Sequence, residues 1–142
     1  MIQVIEHDSK TLAIIIPGSF QKEGIHFFTP DDFSQQLAYM KRPVGYVIDP
    51  HVHNVVPREV NLTQEVLFIR KGKVRVDFYD DRKVYLRSAV LTTGDVILLA
   101  AGGHGFTMLE ETEMIEVKQG PYCGDQDKIR FTTVQADTVK II

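Results

Sequence analysis

Hydrophobic and polar residues alternate along much of the chain with a period of two. In residues 74–79, valine and phenylalanine alternate with arginine, aspartate and tyrosine, and a similar alternation runs over residues 84–91. Successive side chains of a β-strand point to opposite faces, so this pattern predicts strands with one buried face. Segments containing glycine or aspartate, typical of tight turns, separate the strands at 71–73, 80–82, 93–95 and 102–103. Many short strands at this spacing indicate a β-sandwich or β-barrel.

One segment has helical periodicity instead. Thr29 is placed to cap a helix, Pro30 suits the first helical position, and two aspartates follow in the first turn. Phe33, Leu37 and Met40 then recur at helical spacing, before a proline at position 43 ends the pattern. The sequence therefore predicts one short N-terminal helix, from about residue 30 to residue 40, with an apolar stripe that covers the core.

Composition restricts the classes of function. A chain of 142 residues fits one domain, residues 1–142. A net charge of −3 without a lysine and arginine cluster argues against binding to nucleic acid or to an anionic membrane. No apolar run approaches the length of a membrane span. The single cysteine, Cys123, excludes an internal disulfide, and we expect a cytoplasmic location. Phosphate-binding glycine loops, dinucleotide-binding fingerprints and serine nucleophile elbows are absent from the sequence.

Three histidines occur in patterns that suit a metal ion. His51 and His53 are separated by one residue in a segment expected to be extended. Their side chains therefore share a face, and their Cα atoms lie about 6.5 Å apart. Two imidazoles at this spacing can converge on one ion. His104 follows a hydrophobic strand and is flanked by glycines, which allow close backbone approach and an inward turn of the side chain.

These patterns resemble the two motifs of the cupin superfamily. The first, Gly-x5-His-x-His-x(3–4)-Glu-x6-Gly, is matched by Gly45-x5-His51-x-His53 and by Glu65-x6-Gly72; the second, Gly-x5-Pro-x-Gly-x2-His-x3-Asn, is matched in part by residues 94–104. The resemblance implies an all-β double-stranded β-helix, or jelly-roll barrel. It also implies a divalent transition metal (Fe, Mn, Ni, Co, Cu or Zn) whose ligands are His51, His53, Glu65 and His104.

The sequence departs from the cupin motifs in three places. Eleven residues separate His53 from Glu65, and this stretch contains a second acid, Glu59, as an alternative fourth ligand. Ala100 replaces the proline of the second motif, and the step to His104 is one residue short. Met108 lies near the position of the motif's asparagine. Glu65 keeps its distance to the following glycine and is the preferred ligand, although pairing with a surface arginine is its alternative role.

Three functions are compatible with this resemblance. The first is a small metalloenzyme, an isomerase or oxygenase, that acts on a small polar substrate, with a sugar derivative as one candidate and Glu65 as ligand or proton carrier. The second is a metal-free sugar-nucleotide isomerase or epimerase in which His51 or His53 removes a proton and Tyr122 returns it. The third is a non-catalytic cupin that binds or senses a ligand, because fold does not determine function.

Two further expectations concern the surface. The polar segment 116–128 follows a predicted strand, Glu113 to Val117, and its composition favours a solvated loop; Tyr122, Asp127 and Lys128 are its candidates for a cavity rim. Cupin barrels commonly pair through edge strands, and the predicted strands Ile2–Ile5 and Leu12–Ile16 are suited to this. We therefore predict a homodimer.

Overall fold

The computed structural model describes all 142 residues and contains ten β-strands and two short 3-10 helices. The strands are β1 (Gln3–His7), β2 (Lys10–Ile16), β3 (Gly24–Phe27), β4 (Ala38–Lys41), β5 (Glu65–Lys71), β6 (Lys73–Tyr79), β7 (Tyr85–Thr92), β8 (Val96–Leu99), β9 (Gly103–Met108) and β10 (Glu113–Lys118). The 3-10 helices are η1 (Gly124–Asp127) and η2 (Ala136–Thr138), and neither is long and apolar enough to cross a membrane. The prediction of an all-β chain is confirmed.

The strands form three antiparallel sheets, none of which is closed. A five-stranded sheet has the order β1-β2-β8-β5-β10, a three-stranded sheet has the order β7-β6-β9, and β3 pairs with β4 alone. Strand β10 is therefore an edge of the larger sheet, and β9 is an edge of the smaller sheet. The turn between β5 and β6 passes through Gly72 with φ of +99°, a conformation that favours glycine.

The hydrophobic core lies between the five-stranded and the three-stranded sheet. Alternate residues of each strand point into it, as the period of two predicts. The larger sheet contributes residues from β1, β2, β5 and β8, and the smaller sheet contributes residues from β6 and β7. These core residues are Ile5, Leu12, Ala13, Ile15, Leu67, Ile69, Ile97, Leu99, Val74, Val76, Phe78, Ala89 and Leu91.

The outer face of the larger sheet is also partly covered. Ile14 and Leu98 are cross-strand partners that point away from the core, yet both are buried. Residues 17–41 between β2 and the end of β4 include an aromatic cluster, in which Phe20 packs edge-on against Phe28 and Tyr39.

The predicted helix over residues 30–40 is wrong. The Thr29 hydroxyl donates to the Gln36 side-chain carbonyl at 2.8 Å and accepts the Leu37 backbone N–H at 3.2 Å, which stabilises a loop. The residues that follow form β4, which pairs with β3 through Ile25 and Met40. Cross-strand pairing of these apolar residues outweighs the modest helical propensity of the segment.

A buried polar network lies on the outer face of the three-stranded sheet. The Asp77 carboxylate is fully buried and accepts hydrogen bonds from the Arg75 guanidinium at 2.8 and 3.0 Å. The Ser88 hydroxyl also donates to Asp77, and the Tyr85 hydroxyl lies 2.7 Å from that of Ser88. Arg75 makes one further bond, to the Thr107 hydroxyl. No buried side-chain polar atom is left without a partner.

The C-terminal segment packs against the same outer face. The Phe131 ring lies edge-on to Tyr79 at 4.9 Å between centroids, and the Val134 backbone N–H donates to the Tyr79 hydroxyl. Further along, the Lys140 backbone N–H donates to the Tyr85 hydroxyl at 2.8 Å. Residues 131–140 are thus fastened to the sheet at two points. Cys123, which is exposed, lies on the connection between β10 and this segment, directly before η1.

Candidate functional site

Glu65 and His104 come together at one end of the two facing sheets. Glu65 is the first residue of β5 and pairs with Leu99, a core residue, so its side chain points between the sheets. His104 lies in β9 opposite Phe78, another core residue, and faces the same space. The atoms Glu65 Oε1 and His104 Nε2 are 3.5 Å apart, with the two side chains 13% and 26% exposed. The structure therefore brings together two of the four predicted metal ligands.

A second carboxyl group, that of Glu116, adjoins Glu65. In the β5–β10 register Glu116 pairs with Leu67 and Glu65 with Lys118, so the two acids are diagonal neighbours on the inner face. The interaction with His104, aided by a hydrogen bond with Glu116, lowers the pKa of Glu65 to about 2. The shared hydrogen bond with Glu65 raises the pKa of Glu116. Of the two acids Glu116 therefore binds a proton more readily, while Glu65 is ionised.

An ion pair between Lys118 and Asp127 lies next to the two acids. Lys118 Nζ lies 2.7 Å from Asp127 Oδ2, and the Thr63 hydroxyl donates to the other oxygen of Asp127. These contacts join β10, the end of η1 and the residues before β5. The Lys118 ammonium and the Thr63 bond lower the pKa of Asp127, so its carboxylate is charged.

These groups line a cavity of about 670 Å³. One wall comes from β9 and the turn after β6, another from Glu65 and Glu116, and a third from residues 127–131, with residues 61–63 beside them. Gly103 gives the Phe131 ring room, because a Cβ at that position would lie 2.9 Å from the ring. A cavity of this volume fits a small molecule.

His51 and His53 lie apart from the Glu65–His104 pair, on the exposed segment between β4 and β5. Residues 42–64 form no strand or helix, and neither histidine lines the cavity. Their rings are 5.3 Å apart between centroids, so they are neighbours of each other. His51 Nδ1 lies 2.9 Å from the Asp49 carbonyl oxygen. That oxygen only accepts, so Nδ1 donates the hydrogen, and His51 Nε2 makes no hydrogen bond within the protein.

The other predicted site residues are divided between the cavity and solvent. Asp127 and Lys128 line the cavity, whereas Tyr122 is 93% exposed and does not. Glu59 lines a neighbouring cavity of about 540 Å³ and not the one that contains Glu65. The expectation of a solvated loop holds for Tyr122 and for Lys128, which is exposed although it lines the cavity, whereas Asp127 is half-buried.

Sequence reasoning missed Glu116, Lys118 and Arg130. The signal for the first two was present in β10, where Met114, Glu116 and Lys118 occupy one face of the strand. Charged residues on the inward face of a strand near its end indicate a site. Arg130 has no such signal, because it lies in irregular structure whose position depends on the fold.

No group of three or more histidine, cysteine, aspartate or glutamate side chains converges on a point where an ion can bind. Comparisons of the chain with protein-family models, curated proteins and solved structures give no match.

Proposed function

We propose that this chain is a small cupin-type metalloprotein that binds a divalent metal ion through Glu65, His104, His51 and His53 and acts on a small polar molecule in the adjoining cavity. The observation that carries the proposal is the approach of Glu65 to His104 on the inner faces of two different sheets, at the wall of a cavity. A carboxylate and an imidazole are both common ligands of divalent transition metals.

The spacing of these two groups fits a shared ion. Two ligands at about 2.1 Å from a tetrahedral ion are separated by about 3.4 Å. The observed 3.5 Å between Glu65 Oε1 and His104 Nε2 matches this separation and exceeds the length of an ordinary hydrogen bond. The ionised state of Glu65 suits coordination as well, because a metal ligand must be deprotonated.

The two remaining ligands require the segment 42–64 to dock beside β9. Strand β9 has β6 as its only neighbour, so one side of its backbone is free to pair with another strand. In an extended segment His51 and His53 would point to the same face, towards His104. The Nδ1 bond of His51 to the Asp49 carbonyl leaves its Nε2 available and orients the ring, as is common for ligating histidines.

Burial of apolar side chains favours this docking. Val44, Val47, Ile48, Val52 and Val55 are each more than half exposed. Fully burying one such side chain contributes about 1.5–3 kcal/mol. Docking would therefore gain several kcal/mol of hydrophobic free energy against the entropy of ordering the segment.

A bound divalent ion would supply Lewis-acid polarisation of a substrate oxygen. The chain's own residues contribute the remaining chemistry. Glu116 faces the cavity beside the ionised Glu65, which raises its pKa, so Glu116 is the member of the pair better suited to deliver a proton to a bound molecule. Lys118 is held in place by Asp127 and stabilises the negative charge of the acid pair.

Elemental analysis of the protein tests the proposal. After reconstitution with Fe, Mn, Ni, Co, Cu or Zn in turn, we expect about one equivalent of one of these metals per chain. The variants His51→Ala, His53→Ala and His104→Ala should each bind at least about tenfold more weakly, because each removes a ligand. His26→Ala is the matched control, since His26 is a half-buried histidine bonded to the Glu23 carbonyl and does not line the cavity. Equal metal content in the His104→Ala and His26→Ala proteins would refute the proposal.

A metal-free isomerase or epimerase is the second candidate, and the acid pair favours it. The ionised Glu65 lies beside His104 and can orient its imidazole as a base, while Glu116, whose pKa is raised, can serve as the acid. In that case His104 removes a proton next to a substrate carbonyl, and Glu116 returns one. If no metal binds after reconstitution, a nucleotide sugar that raises the melting temperature and exchanges solvent deuterium into its carbon skeleton would support this alternative.

A further inference from the structure

The carboxylates in the cavity wall all have partners within the protein. Glu65 and Glu116 interact with each other, and Glu65 also with His104. Asp80 accepts the backbone N–H groups of Arg82 and Val84, in a turn. Two ion pairs engage the remaining acids, Lys10 with Asp81 at 2.8 Å and Lys118 with Asp127 at 2.7 Å.

The cations of the same wall have no such partners. Lys83, Lys128 and Arg130 line the cavity, and no carboxylate oxygen lies within 4 Å of their side-chain nitrogens. Lys128 acts over a longer distance on Glu116 and Asp127, but the side-chain donors of the three cations make no ion-pair contact within the protein. Donors of this kind are free to make charge-assisted hydrogen bonds to an anion.

Two of these cations lie on a short span that is anchored at both ends. Lys128 and Arg130 are two residues apart, are both exposed to solvent, and both line the cavity. Asp127, bonded to Lys118, fixes the chain immediately before them, and Phe131, packed on Tyr79, fixes it immediately after. The span between these anchors is three residues long, which limits its freedom to rearrange.

We infer that Lys128 and Arg130 form a subsite for an anionic group, a carboxylate or a phosphate, on the small molecule that occupies the cavity. Arg130 supplies a planar fork of donors that matches either oxyanion, and Lys128 supplies a second charge. Lys83, across the cavity, adds a third positive charge to the field. The assignment rests on the proposed function, because it places the reacting part of the molecule near Glu65 and His104.

Titration calorimetry with inorganic phosphate and with succinate, at constant ionic strength, tests the subsite. We expect saturable binding of at least one anion to the unmodified protein, and the tighter of the two identifies the group. The double variant Lys128→Gln/Arg130→Gln should bind it roughly tenfold more weakly, because two charge-assisted contacts are lost. The control Lys22→Gln/Arg70→Gln removes the same charge from exposed, unpaired positions outside the cavity and should bind like the unmodified protein.

The outcomes separate the subsite from the metal site. Equal weakening in the two double variants, or no binding of either anion, overturns the subsite, whatever the metal content. Metal binding should be unchanged in Lys128→Gln/Arg130→Gln. Anion binding that is lost in this variant and survives removal of metal by EDTA and dialysis supports the subsite, even if the metal assignment fails.

Discussion

Replacement of Asp77 by alanine tests the buried network on the outer face of the three-stranded sheet. Asp77 is 0% exposed, and its carboxylate neutralises an Arg75 guanidinium that is 13% exposed. The substitution removes the acceptor of both Arg75 bonds and of the Ser88 hydroxyl. The guanidinium keeps one bond, to Thr107, and the Ser88 hydroxyl keeps its contact with Tyr85.

The expected loss of stability is large for a single side chain. Removing one partner of a buried ion pair costs about 3–5 kcal/mol, because the other charge is left uncompensated. The small exposure of Arg75 and its remaining bond favour the lower end, about 3 kcal/mol. At about 3 °C per kcal/mol for a chain of this size, the melting temperature should fall by about 10 °C.

Thermal and urea unfolding followed by far-ultraviolet circular dichroism measures this effect. Asp81→Ala is the control, since its pair with Lys10 has a similar length of 2.8 Å but is exposed and should contribute at most about 1 kcal/mol. The double variant Arg75→Val/Asp77→Val should be more stable than Asp77→Ala, because no charge remains buried. Losses that are equal for Asp77→Ala and Asp81→Ala would refute the reasoning.

Three further outcomes are expected. The pKa of Glu65 is about 2 in the folded protein and 4.5 ordinarily, so the stability contributed by its ionised form is complete above pH 4.5 and is lost as the pH falls towards 2. Urea unfolding should therefore show that the stability advantage of the unmodified protein over Glu65→Gln shrinks across this pH interval. A constant difference in stability would contradict the shift. Gly72→Ala should destabilise the protein by about 2 kcal/mol or more, and Gly45→Ala should destabilise it less in the same unfolding experiments. Both glycines have positive φ, but a Cβ at position 72 would overlap the Glu111 carbonyl oxygen, whereas the space around position 45 is open. Tyr85→Phe removes the hydroxyl that accepts the Lys140 backbone N–H. Limited proteolysis followed by mass spectrometry should then show faster cleavage of the C-terminal segment. An unchanged cleavage rate would mean that the other contacts of this segment are enough to hold it on the sheet.

The strands were predictable because their signal is local. In β6 the alternation of apolar and polar residues matches the alternation of core and outward positions. In β7 the phase differs from the predicted one, because Ala89 and Leu91 face the core and Val90 is exposed. The segment 30–40 shows the limit of this reasoning. Its capping residue and its apolar spacing favour a helix, but Thr29 uses its hydroxyl to close a loop and residues 38–41 pair with a strand more than ten positions earlier. Pairing between distant segments is not encoded in the period of either one.

The candidate site was predictable only in part, for a related reason. Glu65 and His104 were found through their spacing to glycines, and the structure places them together. Glu116 joins them through the β5–β10 register, which depends on how two strands align and not on the residues around Glu116. The place of His51 and His53 stays a prediction, because it depends on the docking of residues 42–64.

The lone thiol before η1 offers a way to observe the cavity directly. Cys123 is the chain's single cysteine and is exposed, so a maleimide dye would attach at one defined position. That position is four residues from Asp127, where the cavity wall begins. The sequence contains no tryptophan, so such a dye can be excited and followed without intrinsic indole emission. A dye here would convert changes in this wall on ligand entry into a change of fluorescence, whichever small molecule enters the cavity.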